Sequence, residues 1–370
     1  WSKAMKIAVL DDRTINKIAA GEVVERPAAV VRELVENAID AGATDIRIDL
    51  EEGGKRRVRI RDNGCGMSRE DARLSLQRHA TSKIRTDSDL STVLTLGFRG
   101  EAVPSIASVS RFQLLTRTAA SEEGTRITVD GGREPSIEPA GCPVGTMITA
   151  DMLFYNVPAR KKFLRTDSTE LSHCLETVIR ELLHRPSIDV EVSHNHKVVL
   201  RSTRAANRRQ RAADLLGIGS SPLVDLEFEI DTTQVSGLIS PVGVHRATSR
   251  NSMYLYVNGR FVKDTAIRRA VRDAYLGLVP KGRFPIVILE ITMPTTEVDV
   301  NVHPAKTEVR FQHVRKLQRE LTAGINRALQ VHGIRREEPS APPKIKADTL
   351  HQHMALPQSL PLVFPPKQPQ

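Results

Sequence analysis

The sequence is poor in the features that stabilise small secreted domains or span membranes. Only three of its 370 residues are cysteine, and Cys65, Cys142 and Cys174 form no Cys-x-x-Cys pair. A disulfide framework and a thiolate zinc site are therefore excluded. No run approaches the roughly 18 apolar residues that a spanning helix needs, and the apolar stretch after Met5 is too short for a secretory signal. We expect a cytoplasmic protein without a membrane partner.

Aromatic residues are also scarce, whereas positive charge is in excess. Aromatics make up 4% of the chain, so stacking on bases is a poor candidate for a binding mode. Lys and Arg number 54 against 44 Asp and Glu, a net charge of +10. This balance favours a polyanionic partner such as nucleic acid, held through its phosphates. The remaining composition is that of a globular protein, and the length predicts two or three domains.

Composition divides the chain into three parts. Eight of the 21 prolines follow Glu338, and 336–370 is therefore predicted to be a linker or tail, either before a further domain or as a natural disordered end. Arginines crowd the polar stretch 201–211 between two β-like regions, where a solvated loop and a phosphate-binding loop are equally good interpretations. The predicted domains are 1–205, 212–335 and the 336–370 tail.

Periodicity predicts helices and strands in both main regions. Pro27 to Ala41 is predicted to be a helix with an apolar stripe, and 44–60 a β-hairpin. Further strands are expected at 111–117, 125–130 and 145–151, and a capping box at Asp167–Glu170 should open a helix that ends near Leu183. The second region is predicted to have strands near 223–230, 234–240, 253–257, 285–292 and 298–302, with helices from Asp264 and about His313. The fold class is therefore α+β, with helices on one face of a mixed, largely antiparallel sheet and a smaller α+β domain after it.

Two stretches of the first region carry candidate chemistry. Glu33 and Asn37 lie four residues apart on the first helix, where one can activate water and the other bind a metal; the wet face of an amphipathic helix is the ordinary alternative. Asp62 ends a strand and is followed by Gly64 and Gly66. This pattern suits a flat pocket whose carboxylate accepts from an exocyclic amine; taken by itself, it is more typical of a tight turn that begins with an Asp.

A third stretch has the composition of a phosphate-binding lid. Gly97, Phe98, Arg99 and Gly100 precede a helix-like segment, so their backbone N–H groups suit an anion. The polar residues from His79 to Thr92 are typical of a lid or of a plain surface loop. Neither a P-loop nor a Rossmann glycine motif is present, so a nucleotide would have to bind by another scheme.

In order and spacing, these features resemble the GHKL ATPases, whose site pairs an acid and an Asn on one helix with an Asp-x-Gly-x-Gly loop and a glycine-rich lid. Longer strings resemble the N-terminal half of the MutL family of DNA mismatch-repair proteins. They are Ala19–Pro27 (AAGEVVERP), Glu33–Asn37 (ELVEN), Asp40–Thr44 (DAGAT), His79–Ile84 (HATSKI), Gly97–Ala102 (GFRGEA) and Asn301–Lys306 (NVHPAK). The resemblance covers about residues 10 to 335.

The resemblance implies a role for each matching position. Glu33 would be the general base, Asn37 would hold Mg²⁺, and Lys306 of the second region would reach the γ-phosphate of ATP. The adenine pocket would comprise Asp62, Gly64, Gly66 and Thr146, and the phosphate lid Lys83, Gly97, Phe98, Arg99 and Gly100. Pro104 departs from the family pattern, and it could shift the start of the lid helix.

The resemblance also implies partners. DNA would bind without sequence specificity along a basic helix face formed by Arg268, Arg269 and Arg272, although a solvated arginine face is an equally good interpretation. ATP binding would join two identical chains through their N-terminal regions. Mismatch-recognition and downstream repair proteins would be partners on the nucleoid. The alternatives are a type II topoisomerase ATPase subunit and a non-catalytic DNA-binding scaffold.

Overall fold

A computed structural model of the chain describes residues 23–78, 80–81, 100–218, 223–247, 252–299 and 309–333. The first long helix, α1, spans Pro27–Asp40, as predicted, with Pro27 in its first turn. Its apolar stripe (Val31, Leu34, Val35 and Ala38) is buried. Gly42 follows with a φ of +73°, a left-handed conformation that favours glycine and ends the helix.

The first region is built on an eight-stranded sheet. Its strands are β1 (Asp45–Glu51), β2 (Arg57–Asp62), β3 (Arg111–Arg117), β4 (Gly124–Asp130), β5 (Ser136–Ala140), β6 (Gly145–Asp151), β7 (Asp189–His194) and β8 (Lys197–Ser202). They lie in the order β5-β4-β3-β6-β2-β1-β7-β8. Within this sheet β1 and β7 run parallel and the other neighbouring pairs are antiparallel. The predicted mixed, largely antiparallel sheet is confirmed.

Helices cover one face of this sheet. They are α1, α2 (Arg69–Leu74), α3 (Ala102–Ser108) and α5 (Asp167–Leu182). The short helix α4 (Pro158–Phe163) follows β6 and has no buried residue. Alternate residues of β1 are buried against this layer. The opposite face carries ion pairs such as that between Arg57 and Asp151, at 2.7 Å. The predicted capping box of α5 is one residue out of register: Thr166 is the N-cap, and Glu170 accepts from the backbone N–H of Arg165 at 2.9 Å.

The arginine-rich stretch 201–211 is not the loop that its composition suggested. Arg208 begins a helix, α6 (Arg208–Leu216). Arg211 on α6 is buried and donates to the Ser202 hydroxyl and to backbone carbonyls of the first region. Arg208 reaches Glu290 of the second region at 2.6 Å, and Arg209 pairs with Asp225. These arginines therefore join the two regions, and the solvated-loop and phosphate-loop interpretations are both wrong for them.

The second region has a five-stranded sheet in the order β13-β12-β15-β10-β9. Its strands are β9 (Val224–Ile230), β10 (Thr233–Ile239), β12 (Met253–Val257), β13 (Arg260–Val262) and β15 (Val287–Thr292), flanked by two-residue pairings of β11 (His245–Arg246) with β14 (Phe284–Pro285) and of β16 (Val298–Asp299) with β17 (Arg310–Phe311). The helices α7 (Thr265–Ala274) and α8 (Val314–Gly333) cover it. Of the predicted strand 298–302, residues 300–302 lie outside the described residues.

The two regions share buried surface. Tyr254, Tyr256 and Ile288 of the second sheet belong to the apolar core of the first region. The Tyr256 hydroxyl donates to the backbone carbonyl of Arg180 on α5 at 2.7 Å. The β12–β13 hairpin is thereby fixed on the helical layer that also contains α1.

Candidate active site

Asp62 ends β2 in the interior of the first sheet. Its backbone is paired with Thr146 on β6, and its Oδ1 accepts from the Gly64 N–H at 2.9 Å. Burial raises the pKa of Asp62, and the N–H groups of Gly64 and Thr146 oppose that rise. The carboxyl group is therefore an acceptor in surroundings of low polarity, where a hydrogen bond to a ligand is stronger than in water.

The loop after Asp62 packs closely against the protein itself. A Cβ added at Gly64 would lie 2.7 Å from the Ala41 Cβ, and one at Gly66, where φ is +69°, would lie 2.0 Å from the Arg117 carbonyl oxygen. The backbone N–H of Cys65 donates to the Ala41 carbonyl at 3.0 Å. Both glycines are thus required by close packing of the loop against the protein, whether or not a ligand also contacts them.

Two polar residues of this pocket were not among the sequence candidates. The Thr116 hydroxyl lies 3.1 Å from that of Thr146 and accepts from the Met67 N–H at 2.9 Å. The Asn63 Oδ1 accepts from the backbone N–H groups that begin β1. Nothing in the local pattern distinguishes Thr116 from other strand threonines, whereas the side chain of an Asn in an Asp-Asn-Gly turn commonly bonds to nearby backbone.

Glu33 and Asn37 lie on α1, which ends against this pocket. Glu33, Asn37 and Ala41 are each four residues apart and therefore lie on one slowly turning stripe of the helix. Ala41 contacts the loop after Asp62. At 1.5 Å per residue, Glu33 stands about 12 Å and Asn37 about 6 Å up the axis from that contact. The Glu33 side chain is 19% exposed and its Oε1 lies 2.7 Å from the Arg32 Nη2. The acid and the amide therefore lie on the stripe of α1 that ends, at Ala41, against the loop after Asp62.

Most of the predicted phosphate-binding residues, Lys83, Gly97, Phe98, Arg99 and Lys306, lie outside the described residues. Gly100 is described, with a φ of +61°, and a Cβ added there would lie 2.3 Å from the Ala80 carbonyl oxygen. The two ends of the predicted lid segment therefore meet. The helix α3 begins at Ala102 with Pro104 in its first turn, where a missing N–H is tolerated. Pro104 does not displace the helix start.

The three candidate DNA-binding arginines lie on α7, whose apolar side is buried as predicted. Arg269 is 3.8 Å from the Asp273 carboxylate. Arg268 and Arg272, one turn apart, have no carboxylate ion pair among the described residues. Burial lowers the pKa of Arg268, and the nearby charges of Arg180 and Arg272 lower it further. Like charges are therefore held together here, as on a surface that accepts an anion.

Two protein families match separate parts of the chain. Residues 25–131 match the family of histidine kinase-, DNA gyrase B-, and HSP90-like ATPases. Residues 219–330 match the family described as DNA mismatch repair protein, C-terminal domain. The helix-covered mixed sheet, with Asp62 at an inner strand end, and the first of these matches define an ATPase domain of the GHKL class. Among the described residues no helix is long and apolar enough to cross a membrane.

Comparison with individual proteins identifies the family within the GHKL class. The DNA mismatch repair protein MutL of Trichlorobacter lovleyi is 50% identical over 309 residues, which are 84% of this chain and 52% of that protein. The structure titled Aquifex aeolicus MutL ATPase domain complexed with ADP is 26% identical with a TM-score of 0.56, over 74% of this chain and 93% of that one. The N-terminal domain of a DNA repair protein, at 23% identity and a TM-score of 0.73 over 86% and 98%, shows the fold alone. The chain belongs to the MutL family of DNA mismatch-repair proteins. It spans about half the length of the curated relatives it matches.

Proposed function

We propose that this chain binds Mg·ATP, hydrolyses it slowly and uses the cycle as a switch in DNA mismatch repair. The observation that supports this best is the stripe of α1 on which Glu33 and Asn37 lead towards the loop after the half-buried Asp62. A nucleotide along this stripe has its base at Asp62 and its phosphates beside Asn37 and Glu33. Family membership and the ATPase-family match support the same assignment.

The residues present suit a nucleotide and its metal. Asp62 accepts from the adenine amine, with Gly64, Gly66 and Thr146 completing the pocket. The Asn37 side-chain oxygen would be one Mg²⁺ ligand, since magnesium is usually held by few protein groups and the substrate phosphates. When bound, the ion would neutralise charge on the phosphates. Glu33 orients and polarises the attacking water.

The remaining parts of the switch follow from the family. Lys83 and the backbone of Gly97, Phe98, Arg99 and Gly100 would enclose the phosphates, and Lys306 would bring the second region to the γ-phosphate. Two copies would then associate through their N-terminal regions and hold nucleoid DNA by its phosphates at Arg268, Arg269 and Arg272. Mismatch-recognition and downstream repair proteins would respond to the closed form.

The test is steady-state phosphate release from Mg·ATP by the wild type, by Glu33→Ala and by Glu227→Ala, an exposed glutamate on β9. Binding of labelled ATP is measured on all three proteins. We expect slow turnover that is lost in Glu33→Ala while ATP binding and the Glu227→Ala control are retained. Binding without turnover in the wild type would indicate a nucleotide-gated scaffold, and absence of binding would leave the basic surface as the basis of function.

A further inference from the structure

Arg32 makes an unusual contact with the proposed general base. Side chains of adjacent helical residues do not normally face each other, yet the Arg32 Nη2 lies 2.7 Å from the Glu33 Oε1. The same guanidinium group reaches Glu36, with Nε 3.7 Å from the Glu36 Oε1. This Nε is buried without a hydrogen bond, so charge rather than a hydrogen bond holds it there. Arg32 therefore bridges the proposed base and a second carboxylate one turn along.

A buried carboxylate on the neighbouring helix also attracts this arginine. Glu181 on α5 is buried. Burial raises the pKa of Glu181, and the charges of Arg185, Arg32 and Arg180 oppose that rise. Arg32 thus interacts with the negative charges of Glu33, Glu36 and Glu181. Their attraction explains why its guanidinium group lies beside the adjacent Glu33.

The second region reaches the same carboxylates. Arg260 begins β13 and is only 9% exposed. It interacts electrostatically with Glu36 and Asp40 of α1. The turn before Arg260 is held next to the end of α5. Its Gly259 carbonyl accepts a hydrogen bond from Arg185, which follows that helix, at 3.5 Å. Glu36 therefore interacts with Arg32 on its own helix and with Arg260 from the second region.

We infer that Arg32 is a positioning residue for Glu33, and that Arg260 of the second region acts on Glu33 through Glu36 and Arg32. The inference rests on the proposed function, since it concerns the base of that reaction. It gives the second region a route to the chemistry that does not pass through Lys306. A change in the distance of Arg260 from α1 alters the charge beside Glu36, and hence the orientation of the Glu33 carboxylate.

A double-mutant cycle tests this relay. Phosphate release and ATP affinity are measured for Arg32→Met, Arg260→Met and the double variant. We expect kcat to fall about 10-fold in Arg32→Met with ATP affinity within about twofold of wild type, the pattern of a lost positioning contact. Arg260→Met should lower kcat about threefold, and the double variant should match Arg32→Met alone, because contacts in one chain of interactions are not additive.

Controls separate positioning from folding. Arg32→Lys keeps the charge and should recover kcat to within about threefold of wild type. Arg201→Met removes a 64% exposed arginine paired with Glu191 on the far face of the sheet and should leave kcat unchanged. If Arg260→Met does not fold, Arg260→Lys takes its place in the cycle.

The outcomes are distinct. Unchanged kcat in Arg32→Met, or singles whose effects multiply in the double variant, would overturn the relay while wild-type turnover and its loss in Glu33→Ala still support the proposed function. A wild type without turnover would overturn both.

Discussion

Asp62 and Thr146 are direct partners in the antiparallel pairing of β2 with β6, so the acceptor and the hydroxyl of the proposed adenine pocket are fixed by the sheet. The pairing also explains Gly145, where φ is +119° and an added Cβ would lie 2.2 Å from the Asp62 carbonyl oxygen. The floor of the proposed pocket is therefore fixed by strand backbone, and Asp62 is the group proposed to recognise the base.

The first prediction concerns that carboxyl group. Asp62→Asn should weaken ATP binding about 10- to 100-fold, the effect of replacing a charged acceptor with an amide that can present its NH₂ to the adenine amine. Titration calorimetry with ATP measures the loss. Asp151→Asn, on the ion-paired face of the same sheet, is the matched control. Equal affinities in the two variants would show that Asp62 does not hold the base.

The second prediction concerns Gly66. Gly66→Ala should lower the free energy of unfolding by about 2–4 kcal/mol, since a left-handed conformation and a backbone collision both oppose the methyl group. Gly217→Ala is the control: its φ is +61°, but an added Cβ meets nothing within 4 Å, so about 1 kcal/mol is expected. Urea unfolding compares them. Similar losses of unfolding free energy in the two variants would show that the loop after Asp62 can move away from the Arg117 carbonyl at little cost.

The third prediction concerns DNA. Arg272→Glu should weaken DNA binding and lower the slope of log affinity against log salt by about 1–2, as expected when phosphate contacts are lost. Binding to a duplex at several salt concentrations measures both. Arg133→Glu, at a 68% exposed position in the first region, carries the same charge change. If both variants lose affinity equally, net charge rather than the α7 surface governs binding.

The fourth prediction concerns pH. Burial, reinforced by the Arg185 charge, lowers the pKa of His184 to about 3, against 6.5 in the unfolded chain. Because the unfolded chain then binds a proton that the folded one does not, stability is present above pH 6.5 and is lost as pH falls towards 3. Between pH 7.5 and 5 we expect a loss of about 1–2 kcal/mol.

Replacement of the histidine isolates its contribution to that loss. Urea unfolding of His184→Gln should show a smaller loss between the two pH values than the wild type does. His196→Gln, at an exposed turn, should behave like the wild type. A wild-type curve that His184→Gln leaves unchanged would assign the pH dependence to other groups.

Much of the fold could be predicted because its determinants are local. The stripe of α1 and the alternation of β1 and β2 are visible in a few consecutive residues, and the motif order around Glu33, Asn37 and Asp62 is the basis of the proposed site. The place of an individual side chain in the folded protein could not be predicted. The chemistry of Arg211 is the same in a solvated loop or a buried junction, and only the partners supplied by distant segments decide between them.

The same limit applies to the site. No local pattern singles out Arg32, because Glu181, which acts on it, is far away in the chain. The close approach of Gly66 to the Arg117 carbonyl could not be predicted either, because Arg117 lies on another strand.

The contact between Ala80 and Gly100 has an evolutionary consequence. Because Ala80 and Gly100 lie together, the number of residues between them can change without moving the base of α3 or the sheet. The entropy cost of closing such a loop rises slowly with its length. The length of this segment and the strand pairing that fixes Asp62 and Thr146 can therefore change separately in evolution.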